Sequence, residues 1–399
     1  MRELFAGRRG LAAAGLLLGE FTAAMQALVL AAIMPRIAAD LHGLELYGFA
    51  FGALLVASAV CMAFAGPLAD RFGTWRILAV AFTLVGAGLL FSSLARTMSQ
   101  FILARAIEGA GGGLDYAASL GAIAKLYPER LRPKMFALSS TMWVLPALIG
   151  PAAGALVAST LGWRWAFAGF IPLIVAAAAM MIPAMRAIPT PREAARPLDA
   201  VRMLLAREGP PLRYAAFVSF ALLQAAFFGA DAYVSLSLTA VRGLSLAAAS
   251  VCVTMGALGW SLSSVLQPRL FSRVGGSRVV VLGTTIGIVA VVCLAAVAAG
   301  APAAIAFPAW FAGGMGMGFA YPTLTLLALA GAAPGNEGTI SSAALLAGSI
   351  GMASGVIACG LPITFARAGG YSLQTAVVAS FTIAVVAALP LLPLARRLE

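Results

Sequence analysis

Little in this 399-residue chain can carry out metal or nucleophilic chemistry. His42 is the sole histidine, which removes zinc clusters and histidine-based triads from consideration. The four cysteines, Cys61, Cys252, Cys293 and Cys359, each stand alone inside an apolar run, without CxxC or metal spacing. They read as free thiols in the place of small apolar residues. No phosphate loop and no nucleophile with a base partner can be found, so neither an enzyme, a cofactor nor a metal is expected. Charge is scarce as well, at 10% of residues against roughly 25% in an average soluble domain. The net charge of +12 would suit nucleic acid if the basic residues clustered on an exposed domain, but they fall between apolar runs, and no nucleic-acid partner is expected.

What the chain has in abundance is apolar sequence: 62% of residues are hydrophobic and the mean hydropathy is +0.99. Twelve apolar segments are long enough to cross roughly 30 Å of hydrocarbon. They lie at approximately 11–34, 46–69, 76–95, 99–124, 134–158, 164–185, 214–240, 246–267, 279–299, 303–330, 339–366 and 372–395. Arg2, Arg8 and Arg9 before the first run resemble a signal peptide, yet the run continues past Glu20 to Met34, too long for an h-region. It is therefore read as a retained first span. With the N-terminus in the cytoplasm, 20 basic residues fall on the inner side and five, Arg36, Arg96, Arg164, Arg242 and Arg367, outside. That asymmetry is a strong positive-inside signal and predicts that both termini are cytoplasmic.

The proline- and arginine-rich stretch 186–213 reads as a cytoplasmic linker, with a short surface helix around Leu198 to Arg207. It separates a first half, 1–185, from a second, 214–399, each with six spans. The halves look like repeats. Glu108 to Tyr116 matches Gly313 to Tyr321 at an offset of 205, and Ile149 to Gly154 matches Ile350 to Gly355 at an offset of 201. Parallel six-span repeats put a substrate site near midplane, where the halves meet. The repeat keeps the glycines and loses the charges, Arg105 corresponding to Trp310, Glu108 to Gly313 and Asp115 to Ala320.

Those three charges dominate the fourth span. At 100° per residue Glu108 lies about 60° and Asp115 about 80° from Arg105, so all three share one helix face. Ionised side chains near the bilayer centre cost roughly 2.5–3.5 kcal/mol each, and the face must look at protein or a wet cavity. Two readings stay open: an internal ion pair that holds helices together, or the wall of a transport pathway. Two further acids lie within spans, Glu20 near midplane of the first and Asp231 in the outer third of the seventh, where a position on a vestibule rim is the simpler reading. A buried acid without a fixed counter-ion can load and release a proton. Tyr116, Trp143, Gln224, Tyr233, Trp260, Trp310 and Tyr321 can wall a large amphipathic cavity, although aromatics in a membrane bundle are more often packing or interface anchors.

Gly66-Pro-Leu-Ala-Asp-Arg-Phe-Gly-Thr-Trp-Arg76 resembles the loop signature between the second and third spans of the major facilitator superfamily, with Thr74 and Trp75 where two basic residues are usual. Leu270 to Gly275 is a weaker echo. By resemblance Gly66, Asp70, Arg71 and Gly73 belong to a cytoplasmic gate, Asp70 and Arg71 latching against the start of the eleventh span near Gly338 and Thr339. Leu103 to Gly109 is similar to the family's fourth-span pattern, with Glu108 in place of glutamine. Pro146-Ala-Leu-Ile-Gly150-Pro151-Ala-Ala-Gly154 resembles the fifth-span signature of the drug:proton antiporter branch, as does the following Leu161 to Phe167. Physically, Pro151 is expected to kink its helix, and Gly150 and Gly154 to leave a smooth face for a partner.

The resemblance implies an all-α membrane protein with twelve transmembrane helices in two six-helix pseudo-repeat halves. It also implies a secondary transporter, a monomer in a bacterial inner membrane, that exports hydrophobic or amphipathic small molecules against protons by alternating access. Alternatives are a proton-independent facilitator or importer of an organic anion drawn to Arg105, or a lipid-handling transporter. In related antiporters an acid often stands where this chain has Gln26, with Glu20 six residues earlier. Among the acids Glu108 is expected to be the switched proton site, because Arg105 one turn away competes with the proton, with Glu20 or Asp115 as second choice.

Overall fold

The computed structural model describes residues 3–5, 7–186, 202–203, 211–329, 337–366, 368–396 and 398, except for the side chains of 124, 133, 136, 137, 140, 211, 212 and 337–339. The linker expected at 186–213 and the loop before the eleventh span therefore lie mostly outside the described residues. Every regular element among them is helical, as apolar segments in hydrocarbon must be to satisfy their own backbone. In chain order these are α1 (Gly7–Asp40), α2 (Tyr47–Phe72), α3 (Thr74–Leu94), α4 (Met98–Leu126), α5 (Arg132–Thr141), α6 (Val144–Thr160), α7 (Trp165–Ala168) and α8 (Ile171–Arg186). There follow α9 (Pro211–Leu236), α10 (Leu246–Val274), α11 (Gly276–Ala299), α12 (Ala306–Leu329), α13 (Glu337–Ala366), α14 (Leu373–Ala388) and α15 (Leu391–Ala395). A π-helical turn, Ser237–Val241, continues α9.

Three of the expected spans are broken in two, and each break has the same cause. Met142, Ala168 and Leu389 are the residues four before Pro146, Pro172 and Pro393, so their carbonyls lose the amide that would bond to them and meet a proline ring. In the fifth span the proline expected to bend its helix and the proline that breaks it are different residues. The break falls at Met142–Trp143, ahead of Pro146, while α6 runs without interruption through Pro151. Ten helices among the described residues are long and apolar enough to cross a membrane. The two remaining expected spans are α4, which carries Arg105, Glu108, Asp115 and Lys125, and the broken α5–α6 pair.

By packing, the chain divides into two units, Met1–Leu30 with Ala53–Leu198 and Ala31–Gly52 with Asp199–Glu399. In the first, α4 is held between α2 and α3 by glycines. A Cβ added at Gly109 or Gly113 would strike the backbone of Leu54 or Ser58, and one at Gly111 the backbone of Ala81. Gly150 and Gly154 face Leu28 and Val29 of α1, and Gly15 faces Ala177 of α8.

The second unit repeats these seams. Gly314, Gly318 and Gly316 stand 205 residues after Gly109, Gly113 and Gly111, and their added Cβ atoms would strike Gly256, Trp260 and Gly283. Gly351 and Gly355, 201 residues after Gly150 and Gly154, press on Ala221 and Ala225 of α9. Gly73 and Gly275, 202 residues apart, both open their helices from positive φ, +92° and +86°, a conformation that only glycine adopts without strain. Small residues let backbones touch where no water-driven force separates lipid from side chain, and here the same code is written twice.

Residues 31–52, before the expected boundary at 185, belong by packing to the second unit. There Ser235 Oγ donates to Ala32 O (2.7 Å), Tyr47 Oη to Ala232 O (3.0 Å) and Thr364 Oγ1 to Glu45 O (2.6 Å). Gly48 and Gly360 approach back to back, and the Tyr233 hydroxyl fills the notch beside them, donating to Val356 O at 2.8 Å.

Candidate functional site

The charges of α4 separate into two groups. Arg105 Nη1 donates to Glu108 Oε2 at 2.5 Å, and the two residues are only 2% and 3% exposed. Gly88 of α3 admits the Glu108 backbone and Cβ, and the guanidinium sits 5.8 Å from the Phe167 ring. Phe167, Trp163 and Phe101 stack edge to face at 5.4–6.0 Å, so the segment after α6 forms an aromatic lid on this pair. Arg164 pins that lid by donating to Ala95 O at 3.0 Å. In the sequence, Leu161 to Phe167 stands out only by its resemblance to a signature and gives no sign that Trp163 and Phe167 cover Arg105. Arg105 Nε has no hydrogen-bond partner and is buried.

Asp115 is elsewhere. Seven residues along α4 bring it about 10 Å further down the axis, past the lid. There Gly19 of α1 leaves room for it: a Cβ at Gly19 would stand 3.9 Å from Asp115 Oδ2. Ser119 Oγ donates to Asp115 Oδ1 at 3.2 Å. Glu20, next to Gly19, acts electrostatically on the same carboxylate, and Trp143 Nε1 donates to Glu20 Oε2 at 3.3 Å. Trp143 reaches Glu20 because the proline-induced break places it at the turn between α5 and α6. The result is two half-buried acids, Glu20 and Asp115, with a hydroxyl and an indole as partners and no base within ion-pair distance among the described residues. Gln26, further along α1, has a buried Nε2 without a partner.

The loop signature is placed as follows. Gly73 caps α3 and Arg71 lies over the Phe72 ring at 5.1 Å. Asp70 accepts from Lys125 Nζ at 3.3 Å, and the same ammonium donates to Thr74 Oγ1 at 3.0 Å, which ties the ends of α2, α3 and α4 together. Gly66, expected to admit a neighbouring helix, has nothing within 4 Å of an added Cβ, since its side of α2 is exposed. The side chains of Gly338 and Thr339, the expected landing point of Asp70 and Arg71, lie outside the described residues. In the second unit Asp231 meets Trp310, and Tyr321, Trp260, Phe227 and Phe228 form a continuous ring network. Tyr233 is fully buried in the notch by Gly48, and Tyr116 is 37% exposed.

The profile of the Major Facilitator Superfamily matches residues 16–356. The chain belongs to that superfamily. Proteins similar to it include Multidrug resistance protein 3 of Bacillus subtilis (strain 168), 32% identical over 161 residues, or 40% of this chain and 31% of that protein. The multidrug transporter protein MdtP of the same organism is 28% identical over 160 residues, 40% and 30% of the two chains. The efflux pump dotC of Dothistroma septosporum is 30% identical over 159 residues, 40% and 27%. The aligned part thus spans about a third of the length of these relatives. Among solved structures, an auto-inhibited peptide transporter of the POT family superimposes with a TM-score of 0.76 at 16% identity, covering 97% of each chain. The nucleoside transporter NupG does so with 0.73 at 15%, covering 96% of this chain and 99% of that one. Identities this low make the likeness one of fold. The chain is a multi-pass membrane protein with the major facilitator architecture.

Proposed function

We propose that this transporter exports hydrophobic or amphipathic small molecules, coupled to proton entry, across a bacterial inner membrane with both termini cytoplasmic. The observation that supports coupling most directly is the placing of Glu20 on α1 and Asp115 on α4 about Gly19, two acids with no base within ion-pair distance among the described residues. Two neighbouring carboxylates without a base can share one proton, which a change in either helix would release. Glu108, the expected carrier, is the weaker candidate: buried against Arg105, it already has its cation. The same pairing leaves Arg105 no free charge for an organic anion, which weighs against the facilitator reading. Similarity to proteins named as multidrug transporters supports export.

The test is accumulation of substrate by purified protein in liposomes when only a proton gradient is supplied. Wild type is expected to concentrate it, whereas Glu20→Gln and Asp115→Asn are expected to exchange it downhill but not to concentrate it. Uphill accumulation by the Glu20→Gln/Asp115→Asn double variant would end the assignment.

A further inference from the structure

The repeat duplicates a pair of arginines but not the ring that joins them. Gly73-Thr-Trp-Arg76 opens α3 and Gly275-Gly-Ser-Arg278 opens α11, at an offset of 202, while Pro183-Ala-Met-Arg186 ends α8 and Pro393-Leu-Ala-Arg396 ends α15, at an offset of 210. In the first unit α3 packs on α8, and the Trp75 ring carries both guanidinium groups, Arg76 at 5.0 Å and Arg186 at 4.8 Å from its centroid. Arg76 Nη1 also donates to Phe72 O at 3.1 Å. In the second unit α11 packs on α15, but Ser277 stands where the repeat has the indole. An opening of about 460 Å³ is left there, lined by Ser277, Arg278, Val281, Leu282, Thr285 and Arg396. Among the described residues neither Arg278 nor Arg396 has a carboxylate, an aromatic ring or a hydrogen-bond acceptor as partner.

Arg278 lies in the first turn of α11, where the helix end is itself positive and no acidic residue offsets it. Two exposed cations and a helix N-terminus thus meet at one opening without a protein anion. Arg278, Leu282, Thr285 and Val289 follow at spacings of four, three and four on one exposed face of α11, so a largely apolar strip about 16 Å long runs from the arginines into the hydrocarbon. Leu282 is 42% and Val289 57% exposed, and Thr285 Oγ1 is already satisfied by donating to Val281 O at 2.8 Å. A free anion would use the arginines alone, whereas a phospholipid uses both the charges and the strip. We propose that this opening binds an anionic phospholipid, its phosphate between Arg278 and Arg396 in the place that Trp75 takes in the first unit and its acyl chains along Leu282 and Val289. Guanidinium forks match phosphate oxygens, and basic pockets at the ends of membrane helices select anionic headgroups. The lipid ties α15 to α11 as the indole ties α8 to α3. This site depends on the chain being a membrane protein and not on what it exports.

Native mass spectrometry of the purified full chain counts bound lipid directly. The probes are phosphatidylglycerol, zwitterionic phosphatidylcholine with the same acyl chains, and inorganic phosphate. Wild type is expected to bind phosphatidylglycerol about tenfold more tightly than phosphatidylcholine, and Arg278→Gln/Arg396→Gln to bind it about 30-fold more weakly than wild type does. Arg76→Gln/Arg186→Gln removes the same net charge where the ring is present, and is expected to bind within about twofold of wild type because exposed charges outside the site are screened. Ser277→Trp keeps both arginines and rebuilds the indole, so it is expected to close the opening and lose the preference for phosphatidylglycerol. Wild-type affinity in Arg278→Gln/Arg396→Gln overturns the proposal, and so does wild-type affinity in a folded Ser277→Trp variant. An equal loss in the two double variants would reduce the effect to net charge and overturn it as well. Inorganic phosphate that binds as tightly as phosphatidylglycerol would mark a free-anion site and end the lipid assignment.

Discussion

Replacing Gly113 by alanine tests whether α4 is held by backbone contact. The added Cβ would stand 2.8 Å from the Ser58 carbonyl carbon and 2.9 Å from its Cα, with the carbonyl oxygen closer still. Ordinary contact begins at 3.4 Å, and the obstacle is backbone, so α2 and α4 must part by at least about 0.6 Å. A gap of about 0.5–1 Å forfeits a quarter to a half of each dispersion contact along the seam. Forced overpacking costs about 1–3 kcal/mol, and the better helix propensity of alanine returns about 0.5–1 kcal/mol. With no flexible side chain to yield, the net loss is expected near 2 kcal/mol, or a fall of about 4–8 °C in Tm. Gly112→Ala is the control: nothing lies within 4 Å of its added Cβ, so only the propensity gain remains, worth a rise of about 1–3 °C. A thiol-reactive dye reads both melts in protein whose partly accessible Cys61 and Cys293 are replaced by alanine, because Cys252 and Cys359 are buried until the protein opens. If Gly113→Ala melts at or above wild type, or if the two variants shift together, the seam is not a backbone contact.

Two further outcomes follow from the packing. Arg105→Ala leaves Glu108 buried without a cation, and folded yield should drop by an amount equivalent to about 3–5 kcal/mol, recovering when Glu108→Gln is added; an unchanged single variant would show that the pair is solvated. Gly360→Val drives a side chain into the Tyr233 hydroxyl and Gly48, so hydrogen exchange across His42–Tyr47 should quicken about tenfold or more, and unchanged exchange would contradict the notch.

The number and place of the spans were legible because apolar runs of span length are an unambiguous signal. So were the repeat offsets, since glycines that touch backbone tolerate no drift. The breaks were half legible. Proline positions are plain in the sequence, but which proline interrupts its helix depends on what packs around it: Pro146 does so and Pro151 does not. Angular arithmetic placed Arg105, Glu108 and Asp115 on one face, and it gave no view of the neighbours stacked along the helix axis. Phe167 and Trp163 cover the first two, and Gly19 opens toward the third. Trp143 reaching Glu20 across 123 residues, and residues 31–52 packing with the second unit, are tertiary facts with no local signature.

The duplicated glycine seams also bear on how such a protein can change over generations. Gly109, Gly111 and Gly113, with Gly314, Gly316 and Gly318, hold backbone against backbone, so mutation there disturbs the frame itself. Phe227, Phe228, Trp260 and Tyr321 keep part of their surface uncovered, and exchanging one ring for another disturbs no seam. A lineage can therefore vary the ring-bearing faces of α9, α10 and α12 while inheriting an unaltered frame, and on the export reading proposed above selection by a new compound would act there first.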